Sequence, residues 1–255
     1  MPSDIQQQII NEFGSKVTQE MYIKNAERGL WDGEKILVEK YCKPKSSILD
    51  IGCGTGRTTI PLHKLGYKVV GADITPEMIQ NAQKIAKSKN LDIIYEVGDA
   101  VNLKYEDSSL DNAIFSNNGW TQIPGRENRE KALKEIYRIL KPGGYFIFTT
   151  HIRSLKSFKL FWVAQWIKFY ILKPLGFKIK EVDFGDRFFK RESGGTKFDQ
   201  EQFIHIPNVN TVKGQIRKAG FDLVLAKREN EITKQNLHNR DNVHNYYPMF
   251  YVCKK

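Results

Sequence analysis

ILDIGCGTGRTT, residues 48–59, is the stretch on which the fold turns. A short β-rich apolar run, SILDI, leads straight into three glycines at alternate positions, Gly52, Gly54 and Gly56, with Asp50 two residues before the first. Glycine adopts backbone angles that other residues avoid, and it lets a ligand come close to the main chain. The pattern predicts a buried strand, a tight turn with something lying against it, and then a helix, RTTIPLHKLG, closed by Gly66.

The same rhythm continues on the carboxyl side. KVVGAD (68–73) reads as a second strand, and Thr75-Pro76-Glu77 then supplies an N-cap, a proline at the first helical position and an acidic first turn. DIIYEVGD and LDNAIFSN (110–117) read as the third and fourth strands. REKALKEIYRILKPGG is an amphipathic helix expected to stop at Pro142 and its two glycines, and YFIFTTH is a fifth strand. Before the quoted stretch, IQQQIINEF, VTQEMYIKNAERGLW and DGEKILVEKYC carry helical spacing. Alternating strands and helices build a parallel sheet with helices on both faces.

After His151 the rhythm breaks. Residues 155–172 look helical and aromatic, and DRFFKRE and KFDQEQFIHI flank Ser193-Gly194-Gly195 as a hairpin would. Then TVKGQIRKAG, FDLVLAK and YYPMFYVC restore a helix and two strands.

Composition excludes several classes. The three cysteines, Cys42, Cys53 and Cys253, are scattered and odd in number, which argues against a disulfide framework and against zinc, whose ligands come in close pairs. The five histidines lack metal-ligand spacing, so no metal is expected. The amino-terminal residues lack the basic start and apolar run of a secretory signal, and LFWVAQWIKFYIL (160–172) is too short for a membrane span and carries Lys168. A soluble, cytoplasmic protein is expected. The net charge of +11 would attract polyanions or an acidic membrane surface.

What the glycine turn holds can be narrowed. The dinucleotide fingerprint would need glycine at position 57, where Arg57 stands, and the phosphate-binding GK[ST] ending is absent. An adenosine without a pyrophosphate remains. Asp73 closes the second strand, where a carboxylate can accept hydrogen bonds from ribose hydroxyls, and Asp99 in VGDA could meet the adenine amino group.

ILDIGCGTGRTT, VVGADITPEMI, VGDA and LKEIYRILKPGGYFIFTTH, in that order between about residues 46 and 151, resemble the motifs of the class I S-adenosylmethionine-dependent methyltransferases of the type 11/25 kind. AGFDLVLA resembles that family's penultimate helix–strand junction. The resemblance implies a doubly wound, mostly parallel seven-stranded α/β sheet, six strands parallel and one antiparallel, with a helix-hairpin insertion after strand five. It implies one methyltransferase domain over 1–255, made of N-terminal helices (1–45), a cofactor-binding core (46–151), a lid-like insertion (152–207) and a C-terminal helix and strands (208–255). S-adenosyl-L-methionine would be the cofactor. Main chain around Asp50, Gly52, Cys53, Gly54 and Gly56 would hold its methionine part, and Asp73 its ribose. Ile74, Met78, Asp99 and Ala100 would line the adenine, Asn117 would face the cofactor, and Tyr22 would close over it.

A hydroxyl or carbon acceptor needs a general base, whereas a neutral amine needs only its lone pair. His151, at the end of the fifth strand, is the candidate base; His205 and Trp120 are candidate substrate contacts. His63, His238 and His244 read as surface or packing residues. SNNGW (116–120) lacks the Asn/Asp-Pro-Pro-aromatic motif of base-methylating enzymes, and no Pro-Cys nucleophile is present. A small-molecule acceptor is favoured. RNA methylation, supported by charge, and a cofactor-binding protein without methyl transfer remain as alternatives. The basic, aromatic insertion, with Lys156, Lys159, Lys168, Arg187 and Arg191, fits a lid, a membrane-facing surface or an RNA surface.

Overall fold

The computed structural model describes residues 3–153, 159–193, 196–234 and 248–255. Lys156, His238, His244, Tyr246, Tyr247 and the hairpin tip at 194–195 lie outside the described residues, as does the Arg191 side chain. The chain runs α1 (Asp4–Gly14), α2 (Lys16–Asn25), α3 (Asp32–Tyr41), β1 (Ser47–Ile51), α4 (Thr59–Lys64), β2 (Lys68–Asp73), α5 (Pro76–Ser88) and β3 (Ile94–Val97). Then come β4 (Leu110–Phe115), α6 (Arg126–Ile139), β5 (Leu140–Thr150), α7 (Lys159–Ile167) and a π-helical turn (Lys168–Leu172). β6 (Asp186–Ser193), β7 (Thr196–His205), α8 (Val209–Lys218), β8 (Asp222–Arg228), α9 (Glu229–Thr233) and β9 (Met249–Lys254) complete it.

Seven strands form one sheet in the order β3-β2-β1-β4-β5-β9-β8. β1 to β5 pair in parallel, and β9 runs antiparallel to both β5 and β8. Side chains alternate between the faces, as the two-residue period of a strand requires. Leu49, Ile51, Phe146, Phe148 and Tyr251 pack with Leu133 and Ile136 of α6 and with Val212 and Ile216 of α8. Their neighbours Ile48, Val69, Ile147, Phe250 and Val252 pack on the other face with Leu37 and Val38 of α3 and Leu62 of α4. Removing these side chains from water drives the sandwich together, at about 1.5–3 kcal/mol for each fully buried large aliphatic or aromatic group.

The sheet order reverses between β1 and β4, so a crevice opens beyond their carboxyl ends, where doubly wound sheets bind ligands. The glycine turn leaves β1 on one side of that crevice, and Asn117 leaves β4 on the other.

Two local expectations are corrected. α6 ends at Ile139, before Pro142, because buried Leu140 is drawn into β5 opposite Leu110; residues 141–144 then form an irregularity in that strand's register. Thr75 has the extended backbone of an N-cap, yet its side chain makes no capping bond, and its amide donates to Asp73.

Between β5 and α8 lie α7, the π-turn and the antiparallel β6–β7 hairpin. α1 is bound to this hairpin by polar links. Gln8 Nε2 donates to the Glu201 carbonyl at 2.9 Å, and Gln202 Nε2 donates to Glu12 Oε1 at 2.8 Å, the latter pair buried.

Candidate functional site

All three turn glycines have positive φ: +62° at Gly52, +54° at Gly54 and +96° at Gly56. That region disfavours any residue with a Cβ. Two of them also make room for rings. A Cβ on Gly52 would stand 2.5 Å from the Phe115 ring, and one on Gly56 would stand 2.6 Å from the Tyr95 hydroxyl. Gly54 differs, since the nearest atoms a Cβ there would meet are Tyr22 at 3.4 Å and the Met78 sulfur at 3.9 Å. Gly54 therefore lies against Tyr22 and Met78, two residues expected at the cofactor.

Two carboxylates shape the turn. Asp73 Oδ2 accepts the Gly54 amide and Oδ1 the Thr75 amide, both at 2.9 Å, and burial raises its pKa. Asp50 is fully buried, and its Oδ2 accepts the hydroxyls of Thr58 at 2.5 Å and Thr59 at 2.6 Å. Its Oδ1 has no partner, and burial pushes the carboxyl up to about 6. A buried carboxylate oxygen without a partner is costly unless a ligand supplies a donor. The cationic amino group of a methionine-derived cofactor is such a donor, so the turn fits the group that the sequence implies. The Cys53 side chain turns away from the turn's open side and packs with Ile79, Ala82, Ala86 and Tyr95.

Arg57, which breaks the dinucleotide fingerprint, has a structural task. Its guanidinium forks onto Glu34 of α3 at 2.7 and 2.8 Å, donates to the Gly29 carbonyl at 2.8 Å and stacks on Trp31 at 4.9 Å. Those bonds anchor the amino-terminal helices to the turn.

Just beyond β3, Asp99 Oδ1 accepts the Val101 amide at 3.0 Å, and Oδ2 accepts the Gln6 side-chain amide at 2.8 Å. Gln6 thus offers Asp99 the same kind of N–H₂ group that an adenine carries. Ala100 is buried in the core beside this point, and Ile74 is partly buried at the end of β2. Tyr22 packs edge-on against Phe13 with centroids 5.7 Å apart, and the Thr55 hydroxyl donates to the Tyr22 carbonyl at 2.7 Å.

Across the crevice, Asn117 and Asn118 both take left-handed backbone, with φ of +50° and +59°. The Asn118 amide donates to Thr149 Oγ1 at 2.7 Å, and the Asn117 side chain is exposed. Trp120 is a correction. It is 0% exposed, packed on Phe148 with centroids 5.6 Å apart and under the Arg129 guanidinium, so it supports the β4–α6 loop from within the core and forms no open pocket wall.

The two expected histidines approach one another. His151 is partly buried after β5, and desolvation, helped by Arg187 and His205, lowers its pKa to about 4. An ionisation near neutrality is therefore not expected of it. His205 is buried with Nδ1 2.7 Å from Asp186 Oδ1, and burial also holds its pKa below the usual histidine range. Asp186 lies directly across the hairpin from His205. Reading the hairpin register could have found it; nothing in the sequence pointed to Arg129, whose guanidinium donates to Asp183 at 2.6 Å.

Asp183, Asp186 and His205 bring ligand-type atoms within 4.8 Å of one another. Asp186 Oδ2 already accepts the Val182 and Asp183 amides, Oδ1 faces His205, and Arg129 brings its own cation to Asp183. Arg129 and Asp183 form an ion pair and His205 and Asp186 a buried hydrogen bond, so both carboxylates are already engaged.

Comparison with known proteins agrees with the fold. A methyltransferase-domain family model matches residues 49–148. The demethylmenaquinone methyltransferase of Staphylococcus epidermidis is 32% identical over 187 residues, which is 71% of this chain and 70% of that one. The norajmaline N-methyltransferase of Rauvolfia serpentina is 34% identical over 112 residues, covering 43% of this chain and 37% of that one. Among solved structures, an S-adenosylmethionine-dependent methyltransferase from Methanosarcina mazei superposes with a TM-score of 0.67 at 24% identity, covering 89% of this chain and 98% of that one.

Proposed function

The chain belongs to the class I S-adenosylmethionine-dependent methyltransferases and uses S-adenosyl-L-methionine, and from that premise we propose that its methyl acceptor is a small molecule. One observation carries the proposal. α1 joins Asp99, at the cofactor end, to Glu201 and Gln202 of the hairpin, so the crevice lies under an interlocked cover. Such a cover suits a small acceptor and leaves little entry for a folded polynucleotide. The relatives named for demethylmenaquinone and norajmaline methylation point the same way. Residues 152–207 then act as a lid.

When bound, the cofactor supplies a methyl group made electrophilic by a cationic sulfur. In this reading Asp73 holds the ribose, Asp50 the cationic amino end, and Asp99 the adenine amino group. Ile74, Met78, Ala100 and Tyr22 enclose the adenine side, and Asn117 faces the cofactor from the end of β4. Main chain of Gly52 to Gly56 lies along the methionine part. The cover excludes water and holds the acceptor's nucleophile in line with the methyl carbon, an arrangement that supplies much of the rate.

His151 or His205 takes the acceptor's proton where the acceptor is a hydroxyl or an acidic carbon. Asp186 fixes the His205 ring by its Nδ1, leaving Nε2 as the basic atom. Both imidazoles are neutral at pH 7 because burial depresses their pKa values. A base must be neutral to act, so its contribution is lost only as pH falls through the depressed value. Single-turnover rates should therefore stay level through pH 6–7 and fall towards about 4, and His151→Ala should abolish that acid limb if His151 is the base. A break near the ordinary histidine pKa would refute this assignment.

The acceptor class is tested by transfer of labelled methyl groups. Demethylmenaquinone and other small aromatic acceptors, offered beside bulk tRNA and rRNA, should take the label while RNA does not. Stoichiometric labelling of RNA would overturn the proposal.

A further inference from the structure

Helix α7 is apolar on both sides, and among the described residues only one side is covered. Inward, Trp162 stacks on Phe184 with centroids 6.1 Å apart, and the Arg153 guanidinium lies over both rings. Gln165, also inward, donates to Glu181 and to the Asp186 carbonyl and accepts the Gly185 amide. Outward lie Leu160, Val163, Trp166, Ile167, Tyr170 and Ile171, spaced by three and four residues and between 38% and 86% exposed. Leu175 and Phe177 continue this surface past the π-turn, both at least 60% exposed. A helix on a water-facing surface normally turns polar residues outward, and a continuous apolar face marks an interaction site.

Charge identifies the partner. From Lys159 to Lys180 the chain carries five lysines and no aspartate or glutamate. Lys168 pairs with Glu181 and Lys180 with Glu201, while Asp183 is held by Arg129 and Asp186 by His205; among the described residues Lys159, Lys173 and Lys178 make no ion pair and supply the charge of this face. The surface is thus apolar with a cationic rim. A second copy would bring the same cations to the contact, within a chain already at +11. An anionic bilayer offers negative headgroups for the lysines and an apolar layer for the ridge. Trp166 and Tyr170 have the amphipathic rings that settle at that boundary, and lysine stems let their ammonium groups reach the headgroups.

We propose that the outer face of α7 and the following π-turn docks the protein on an anionic lipid surface. The helix lies on the surface, since among the described residues no helix is long and apolar enough to cross a membrane. Gln165 ties α7 to Asp186, the partner of His205, so the docked helix backs onto the acceptor side of the site. The inference goes beyond the acceptor class and stands on the surface alone.

Flotation with vesicles tests it. Mixed phosphatidylglycerol–phosphatidylcholine vesicles should bind the full chain about tenfold or more tightly than phosphatidylcholine alone at physiological salt. The double variant Trp166→Glu/Ile171→Glu should lose that binding while keeping its affinity for S-adenosylmethionine, which reports that the fold survives. Wild-type tryptophan emission should shift to the blue on anionic vesicles. Trp166→Phe should still float but lose most of the shift. Binding undiminished in the double variant would show that net charge alone suffices and would overturn the proposal. So would failure to float, or a concentration-dependent dimer of the wild type that the same two substitutions dissolve.

Discussion

Arg57→Ala should lower the stability of the folded chain by about 3–5 kcal/mol, the range found when one partner of a buried ion pair is removed. The Glu34 side chain is 1% exposed and the Arg57 side chain 12%, so truncation strands a carboxylate in the interior. It also frees the Gly29 carbonyl and uncovers Trp31, two contacts that fix the route from α2 to α3. Urea unfolding followed by circular dichroism measures the loss. The pair Arg57→Met/Glu34→Leu should recover much of it, because no charge is then left buried. A single variant as stable as wild type would mean that the amino-terminal helices are held by their apolar faces alone.

Asp73→Ala should weaken S-adenosylmethionine binding by about a hundredfold, ~3 kcal/mol, the scale of hydrogen bonds to a charged group. The carboxylate is expected to serve the ligand and already serves the turn, where it accepts the Gly54 and Thr75 amides. Removing it costs both. Asp73→Asn should be impaired as well, because its NH₂ would stand against a backbone N–H that needs an acceptor. Isothermal calorimetry on folded protein decides the matter, and unchanged affinity would remove Asp73 from the cofactor site.

The sheet was legible because its signals are local. SILDI, KVVGAD and YFIFTTH carry β-rich apolar runs, and the turns between strands and helices are marked by glycine, proline and aspartate. The glycine turn was legible as a tight turn of positive φ, but Phe115 and Tyr95 were not foreseeable as the reason for Gly52 and Gly56. The site's polar contacts were harder, since they join residues far apart in sequence. Gln6 meets Asp99, Arg57 meets Glu34 and Arg129 meets Asp183, and neither periodicity nor spacing encodes such pairs. Trp120 reads as a substrate contact in the sequence, but its large apolar surface belongs to the core, where packing outweighs exposure.

The order of the strands bears on how the molecule reaches its folded state. β5 acquires its second neighbour only from β9, so Phe146 waits for Cys253, roughly a hundred residues later in the chain. Until that strand arrives, an eleven-residue segment containing YFIFTT presents unpaired amides and carbonyls along an apolar rim. Such a rim is a template for strands of other molecules. Changes that delay β9 should therefore reduce the yield of soluble protein through aggregation during synthesis, even where the finished fold tolerates them. Phe250, Tyr251 and Val252, all fully buried, are the positions where slow closure and loss of material should coincide.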